Sequence, residues 1–150
     1  METDQEVLEF IKQIAAESPD ARALLAETVR LLQRECPHYN WVGVYVLEGN
    51  ELVLGPFVGK PTPHTRIPLN KGICGAAAST GKTIIVDDVK ADSRYLACSL
   101  ETRSEIVVPI AREGRILGEI DIDSDTPAAF TEDDRKLLEA VAKILAAKLG

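Results

Sequence analysis

The sequence lacks any long apolar segment, and its first residues do not resemble a secretory signal. No apolar run approaches the roughly 18 residues that a membrane-spanning helix requires. The opening stretch METDQEVLEF is acidic and amphipathic, whereas a signal peptide would be basic and then apolar. We therefore expect a soluble, cytoplasmic protein without a membrane partner.

Basic residues and cysteines are also scarce. The 150 residues contain 17 Lys and Arg against 24 Asp and Glu, and the formal net charge is -7. A nucleic acid backbone requires a basic protein face, so this balance argues against nucleic acid as a partner. Three cysteines, an odd number, indicate thiols that are kept reduced or used chemically.

The length is sufficient for one domain over residues 1–150, with a core that needs neither disulfides nor metal. Helical periodicity predicts a helix over residues 4–16 and a second one that begins at an N-cap, Ser18, and runs to about Arg34. The period then changes to two, which predicts a hairpin over residues 40–57. The following loop, residues 59–72, contains too much Pro and Gly for regular structure.

The second half of the chain continues the alternation of short elements. The pattern predicts a short helix after Gly72, a short strand at TIIV, two longer strands at SEIVVPIAR and RILGEIDID, and a closing helix over residues 131–149. These elements predict an α+β fold, in which an antiparallel sheet of five to six strands carries the terminal helices on one face. A ligand would bind on the other face, under the loops.

The last predicted strand concentrates acids in the stretch GEIDIDSD, at every second position. A three-residue turn at 112–114, with Gly114 in the left-handed conformation, would place Glu105 directly opposite Asp121 and bring Asp123 within a diagonal step. A two-residue turn would mix charges and aliphatic residues on both faces. The three-residue turn instead sends one aliphatic set toward the helices: Ile106, Val108, Ile110, Ile116, Ile120 and Ile122.

Three interpretations of these acids differ in their partner. A solvated sheet face is the ordinary one, but such faces mix Lys and Thr with acids, and here only acids alternate with strongly apolar residues. A calcium site is the second interpretation, because DIDSDTPAAFTE spaces its acids like an EF-hand loop. However, Thr126 stands where that loop needs Gly, and a strand precedes the segment where the motif requires a helix. We therefore expect no metal. The third is an organic ammonium group, with a spare carboxyl group for proton chemistry.

Two cysteines lie near these acids in the predicted fold. Cys74 begins a helix beside Lys71, and both features would lower its thiol pKa; Cys98 lies in a turn that leads into the acid-bearing strand. Either could be a buried core cysteine, which is how we interpret Cys36. If both thiols approach the acids, the combination suits sulfoxide reduction: a thiolate attacks sulfur, an acid protonates the oxygen, and a second thiol converts the sulfenic acid to a disulfide.

The chain resembles the free methionine-R-sulfoxide reductases, a branch of the GAF fold that acts on the free amino acid. The resemblance lies in NWVGVY, LVLGPFVGKP, IPLNKGICGAAA, ACS, SEIVVPI, LGEIDIDS and FTEDD, in this order. It implies that Glu105, Asp121 and Asp123 hold the amino group and sulfoxide of free methionine R-sulfoxide, and that Trp41 and Tyr45 line the pocket for its methyl-thioether end. Glu119 and Asp125 are interpreted as rim acids.

The same resemblance implies roles for the cysteines. Cys98 would be the attacking thiol and Cys74 the resolving one, although the opposite order stays open. The third cysteine of the family corresponds to His64, which we interpret as a surface loop residue. No bound cofactor is expected; thioredoxin, recharged by NADPH, would be the reductant, and a homodimer is the family expectation. A non-catalytic GAF sensor of small molecules and a simple disulfide switch are the alternative functions.

Overall fold

The structure is a computed structural model that describes residues 3–96 and 100–149. Within these residues, four helices and six strands follow one another, and a short 3-10 turn spans Val89–Ala91. The helices are α1 (Asp4–Glu17), α2 (Ala21–Glu35), α3 (Gly72–Thr80) and α4 (Glu132–Leu149). The strands are β1 (Trp41–Glu48), β2 (Glu51–Val58), β3 (Arg66–Pro68), β4 (Ile84–Val86), β5 (Ser104–Arg112) and β6 (Arg115–Ser124).

The six strands form one antiparallel sheet in the order β3-β2-β1-β6-β5-β4. This arrangement confirms the predicted α+β class. The strand β3 corrects the expectation that residues 59–72 contain no regular structure, because Ile67 pairs with Leu52 of β2. An edge strand tolerates Pro68 because proline's missing N–H is not needed on the unpaired side.

The predicted helices are present, with one corrected boundary. The N-cap of α2 is Asp20, whose side chain accepts a 2.8 Å hydrogen bond from the Ala23 backbone N–H. Ser18, the predicted N-cap, instead ends α1, and its hydroxyl donates to the Ile14 carbonyl at 2.6 Å. No helix in the described part of the chain is both long and apolar enough to cross a membrane.

The sheet separates two buried clusters. The helices α1, α2 and α4 cover one face, where aliphatic side chains form the main core; its fully buried members include Ile11, Leu24, Leu32, Val44, Ile106, Ile120, Ile122, Leu138 and Leu145. The shorter helix α3 packs on the other face, where the buried cluster is smaller and includes Tyr45, Leu52, Ile73, Cys74 and Val107.

The β5–β6 hairpin has a different register from the predicted one. Only Glu113 and Gly114 form its turn, both with positive φ (53° and 78°) as a tight hairpin turn requires, and a bulge follows between Ile110 and Ala111. Glu105 therefore pairs with Asp123, and the prediction that it pairs with Asp121 is wrong by two residues.

A shift of two residues leaves side chains on their predicted faces because the strand period is two. Five of the six aliphatic residues predicted to face the helices therefore do so: Ile106, Val108, Ile110, Ile120 and Ile122. Ile116 is the exception, since it lies beyond the bulge and packs against the smaller cluster on the opposite face.

Candidate functional site

Four carboxyl groups are buried on the sheet face that α3 covers. Glu105 comes from β5, and Glu119, Asp121 and Asp123 come from alternate positions of β6; their exposed fractions are 5%, 0%, 5% and 4%. We call these four residues the acid cluster. Their burial contradicts the solvated-face interpretation, and it corrects the expectation that Glu119 is a rim acid. Asp125 is exposed, as a rim acid would be.

Burial raises the pKa of every carboxyl group in the acid cluster. For Glu105 burial is the largest cause, and the negative charges of Asp121 and Asp123 raise its pKa further. The pKa values of Glu119 and Asp123 are raised first by burial and then by the charge of Asp121. Burial also raises the pKa of Asp121, although a hydrogen bond with Glu105 opposes the shift. A group of this kind retains protons at a pH where exposed carboxyl groups have lost them.

Several oxygen atoms of the acid cluster have no hydrogen-bond partner among the described residues. They are both carboxyl oxygens of Glu119, Oδ1 of Asp121 and Oδ1 of Asp123. Buried polar atoms usually have partners, and each one without a partner destabilises the fold by about 1–3 kcal/mol. Such atoms are suited to bind a ligand that carries N–H groups or positive charge.

Cys74 lies in the first turn of α3 and contacts the acid cluster directly. Its thiol donates to Oδ2 of Asp121 at 3.3 Å, and its side chain is buried. The left-handed conformation of Gly72 (φ 70°) begins the helix, at a point where a Cβ would lie 2.9 Å from Leu96. The left-handed φ is the reason that glycine is favoured at this position.

The predicted low pKa of the Cys74 thiol is wrong. Burial raises its pKa well above the ordinary value, and the negative charges of Asp121, Glu119 and Glu105 add to the effect. Lys71, the residue expected to favour the thiolate, is exposed to solvent and does not line the cavity at Cys74. Negative charges close to the sulfur outweigh the helix N-terminus.

The acid cluster borders two cavities of very different size. A cavity of about 450 Å³, within the range of small-molecule sites, lies beside Asp123 and is also lined by Trp41, Lys60 and Glu101. A cavity of about 20 Å³ is lined by Glu105, Asp121, Cys74, Tyr45, His64 and Leu96, among others. Glu105 therefore borders the smaller cavity, and its cross-strand neighbour Asp123 borders the larger one.

The aromatic residues of β1 are divided between these cavities. Trp41 and Tyr45 lie opposite Asp123 and Glu119 in the β1–β6 ladder, which places them on the acid-cluster face. The indole N–H of Trp41 donates to the Lys60 carbonyl at 2.9 Å, and the ring borders the larger cavity. Tyr45 is buried beside the smaller one, and its hydroxyl donates to the His64 carbonyl at 2.7 Å.

The remaining predicted site residues have mixed outcomes. His64 is half-buried and lines the smaller cavity with Cys74, which corrects its interpretation as a surface loop residue. Cys98 lies outside the described residues; Leu96, shortly before it in the chain, lines the same cavity. Cys36 is buried in the helix-side core, which confirms its interpretation, and burial raises its thiol pKa to about 12.

The sequence reasoning missed two residues at the larger cavity. Lys60 and Glu101 both line it, and their side chains form an ion pair at 3.3 Å. The two residues belong to loops that are distant in the sequence, and no spacing rule links them. The sequence signal that could have identified Lys60 is its place in GKP, next to the glycine that follows β2.

Comparisons with known proteins agree with this geometry. Residues 20–149 match the family model of the GAF domain. The chain is 39% identical over 128 residues to the free methionine-R-sulfoxide reductase of Escherichia coli, an alignment covering 83% of this chain and 77% of that protein.

Two solved structures of free methionine-R-sulfoxide reductases have a similar three-dimensional fold. The free methionine-R-sulfoxide reductase of Neisseria meningitidis in complex with its substrate superposes with a TM-score of 0.93 at 41% identity, over 97% of this chain and 87% of that one. The type II free methionine-R-sulfoxide reductase of Thermoplasma acidophilum superposes with a TM-score of 0.84 at 40% identity, over 93% and 94% of the two chains.

Proposed function

The chain belongs to the GAF domain family and, within it, to the free methionine-R-sulfoxide reductases, and we propose that it reduces free L-methionine R-sulfoxide to methionine. One observation supports this activity most strongly: a thiol, Cys74, contacts a buried acid cluster that borders a cavity large enough for an amino acid. Sulfoxide reduction needs thiol chemistry and a proton donor in one place.

The substrate would bind in the larger cavity. Its ammonium group would pair with Asp121 and Asp123, because Asp123 lines this cavity and Oδ1 of each residue has no partner among the described residues. Its methyl-thioether end would contact Trp41, which borders this cavity, and would point toward Tyr45 at the smaller one, since aromatic faces suit a polarizable sulfur. Glu105 would act on the sulfoxide oxygen from the neighbouring strand.

The first chemical step would transfer oxygen from substrate to protein. The Cys98 sulfur attacks the sulfoxide sulfur while Glu105 or Asp123 donates a proton to the oxygen. The attack forms a sulfur–sulfur bond and leaves a hydroxyl group on the substrate sulfur. This hydroxyl group then moves to the Cys98 sulfur as the sulfur–sulfur bond and the substrate sulfur–oxygen bond break, so methionine leaves reduced by two electrons and Cys98 is oxidised by two electrons to the sulfenic acid. The raised pKa of the acid cluster, caused by burial, supports the presence of that proton near neutral pH.

The second step would restore the thiols. The Cys74 sulfur attacks the sulfenic acid, a disulfide forms and water leaves; the dithiol of thioredoxin then reduces the disulfide, with NADPH as the ultimate electron source. The raised pKa of Cys74 supports its assignment as the resolving thiol, because a buried thiol among acids is a poor initial nucleophile. Asp121 accepts the Cys74 thiol hydrogen bond and could take up that proton.

A non-catalytic domain that binds a small molecule is the second candidate. It is favoured by His64, which lines the smaller cavity where the family carries a third thiol. Such a domain would retain the acid cluster and the larger cavity and would bind the same amino acid without turnover.

The decisive assay supplies separated R and S epimers of methionine sulfoxide together with thioredoxin, thioredoxin reductase and NADPH. We expect NADPH oxidation with the R epimer only. Cys98→Ser should abolish it, whereas Cys36→Ser, which alters a thiol on the opposite face of the sheet, should leave it unchanged. Turnover of neither epimer would support the binding domain, and full activity of Cys98→Ser would contradict the mechanism.

The acid cluster is tested by a matched pair of substitutions. Asp123→Asn removes a buried carboxyl group beside the larger cavity and should lower kcat/KM by about 100-fold or more, the usual loss for a general acid or a charged substrate contact. Glu113→Gln changes an exposed acid in the β5–β6 turn that lines neither cavity beside the acid cluster, and it should have little effect. Equal activity of the two variants would mean that the acid cluster serves another purpose.

A further inference from the structure

We propose that Cys74, Glu105 and Asp121 form a binding site for Zn²⁺. One potential ligand atom from each of these buried residues lies within 4.8 Å of the others. The proposal concerns binding of an ion to the reduced protein and does not depend on the reductase activity.

The geometry of the closest pair fits zinc. Thiolate and carboxylate ligands bind zinc at roughly 2.3 and 2.0 Å, so at a tetrahedral angle they lie about 3.5 Å apart. The observed distance from the Cys74 sulfur to Oδ2 of Asp121 is 3.3 Å. One oxygen of Glu105 lies within 4.8 Å of both atoms and would complete a three-ligand set, which leaves the fourth position of the tetrahedron open. A set that includes a thiolate favours zinc over calcium and magnesium, because those two ions prefer oxygen ligands alone.

The surroundings of these ligands favour a cation. They line the cavity of about 20 Å³, which is large enough for one ion and far too small for an amino acid. None of the described residues that line this cavity is Lys or Arg. In addition, Oδ1 of Asp121 and both oxygens of the fully buried Glu119 have no hydrogen-bond partner among the described residues. A divalent cation would compensate buried negative charge that no basic side chain at the cavity offsets.

Bound zinc would have a direct consequence for the proposed reaction. The ion would hold Cys74 as a thiolate and would occupy Glu105 and Asp121, so it would compete with the sulfoxide for the same carboxyl groups. This competition rests on the proposed function, whereas the binding site itself rests on the geometry of the ligands.

The main test titrates the reduced, full-length protein with Zn²⁺ by calorimetry and by competition with a chromogenic chelator. We expect one tightly bound Zn²⁺ per chain that excess Mg²⁺ does not displace. Cys74→Ser should weaken binding by about 100-fold or more, since even residues that only support a ligand are worth 10–100-fold. Cys36→Ser, on the opposite face of the sheet, should bind like the unmodified protein. Unchanged affinity of Cys74→Ser, or an equal loss of affinity in Cys36→Ser, would overturn the assignment.

A second measurement does not depend on the folding of a variant. Co²⁺ substituted for Zn²⁺ in the unmodified protein should give a near-ultraviolet thiolate-to-cobalt charge-transfer band and the intense visible bands of a tetrahedral ion. Asp121→Asn should weaken Co²⁺ binding, and Asp125→Asn should not. The absence of a thiolate band would overturn the site even if zinc binds elsewhere. Zinc binding without sulfoxide turnover would contradict the proposed function alone, and turnover without zinc binding would contradict this site alone.

Discussion

The two faces of strand β6 are equally buried, but one carries aliphatic side chains and the other carries carboxyl groups. Ile120 points toward the helices and is 1% exposed, while its neighbour Glu119 points toward α3 and is 0% exposed. Burial of the isoleucine removes apolar surface from water and stabilises the fold by about 1.5–3 kcal/mol. Burial of the carboxyl group has the reverse effect, because it loses hydration and gains no hydrogen-bond partner among the described residues.

This contrast separates the part of the protein that stabilises the fold from the part that is available for chemistry. The helix side contains most of the buried aliphatic residues, whereas the acid side combines a smaller apolar cluster with four carboxyl groups and a thiol. Stability supplied on one face allows destabilising groups to be held in fixed positions on the other. Truncation of a buried aliphatic residue on the helix side should therefore lower stability, whereas neutralisation of a buried carboxyl group on the acid side should raise it.

The largest effect is expected on the helix side. Ile120→Ala should lower the free energy of unfolding by about 3 kcal/mol, because it leaves a cavity in a closely packed core. Ile116→Ala is the matched control: it removes the same atoms from the same strand beyond the bulge, where the side chain is only half-buried, and should cost about 1 kcal/mol. Urea denaturation measures both. An equal loss for the two would mean that the bulge does not move Ile116 out of the core.

A second prediction concerns the pH dependence of stability. The folded pKa values of the acid cluster are raised by burial, so between about pH 4, where unfolded carboxyl groups titrate, and those raised values the folded state holds more protons than the unfolded state. Stability should therefore be present at low pH and decrease as pH rises, by about 1.4 kcal/mol per pH unit for each excess proton. Urea midpoints between pH 5 and 8 test this; a midpoint that rises over this range would contradict it.

Glu119→Gln should raise stability where most single changes lower it. The substitution keeps the shape of the side chain and removes the carboxyl group that must stay protonated or be buried with a charge. We expect a gain of about 1 kcal/mol at pH 8 and a smaller gain at pH 5, measured as thermal or urea midpoints. Glu113→Gln in the exposed hairpin turn is the control and should be neutral at both values. A loss of stability in Glu119→Gln would show that this carboxyl group has a partner in solution.

Periodicity in the sequence predicted most of the fold, because burial repeats with the period of each element. Apolar spacing identified α1, α2 and α4, and alternation along β6 placed the acids on one face and the isoleucines on the other. The predicted register of the β5–β6 hairpin was wrong because a bulge adds a residue, and the side-chain pattern does not indicate a bulge. The strand β3 was missed because Pro68, together with Pro61 and Pro63 shortly before the strand, is typical of a loop.

The chemistry of the site was less predictable than its location, because pKa values depend on neighbours that are distant in sequence. Local features of Cys74 suggested a low thiol pKa, and the carboxyl groups of β5 and β6 reverse that direction. The burial of Glu119 depends on α3, a helix that is distant in the sequence and packs on this face of the sheet. A cytoplasmic location, a homodimer and recycling by thioredoxin stay predictions.

The smallest effect should distinguish the two described thiols, one on each side of the sheet. Burial raises the pKa of Cys36 to about 12, so only about one molecule in ten thousand carries its thiolate at pH 8, and Cys74 is suppressed by burial and by the acid cluster. Peptide mass spectrometry after iodoacetamide treatment of the folded protein should find both thiols unmodified, and both should react in urea. Asp121→Asn removes one negative charge next to Cys74 and should increase its alkylation rate modestly while Cys36 stays unreactive. A parallel increase at Cys36 would indicate that the substitution opens the whole fold, in which case the two faces would not be independent.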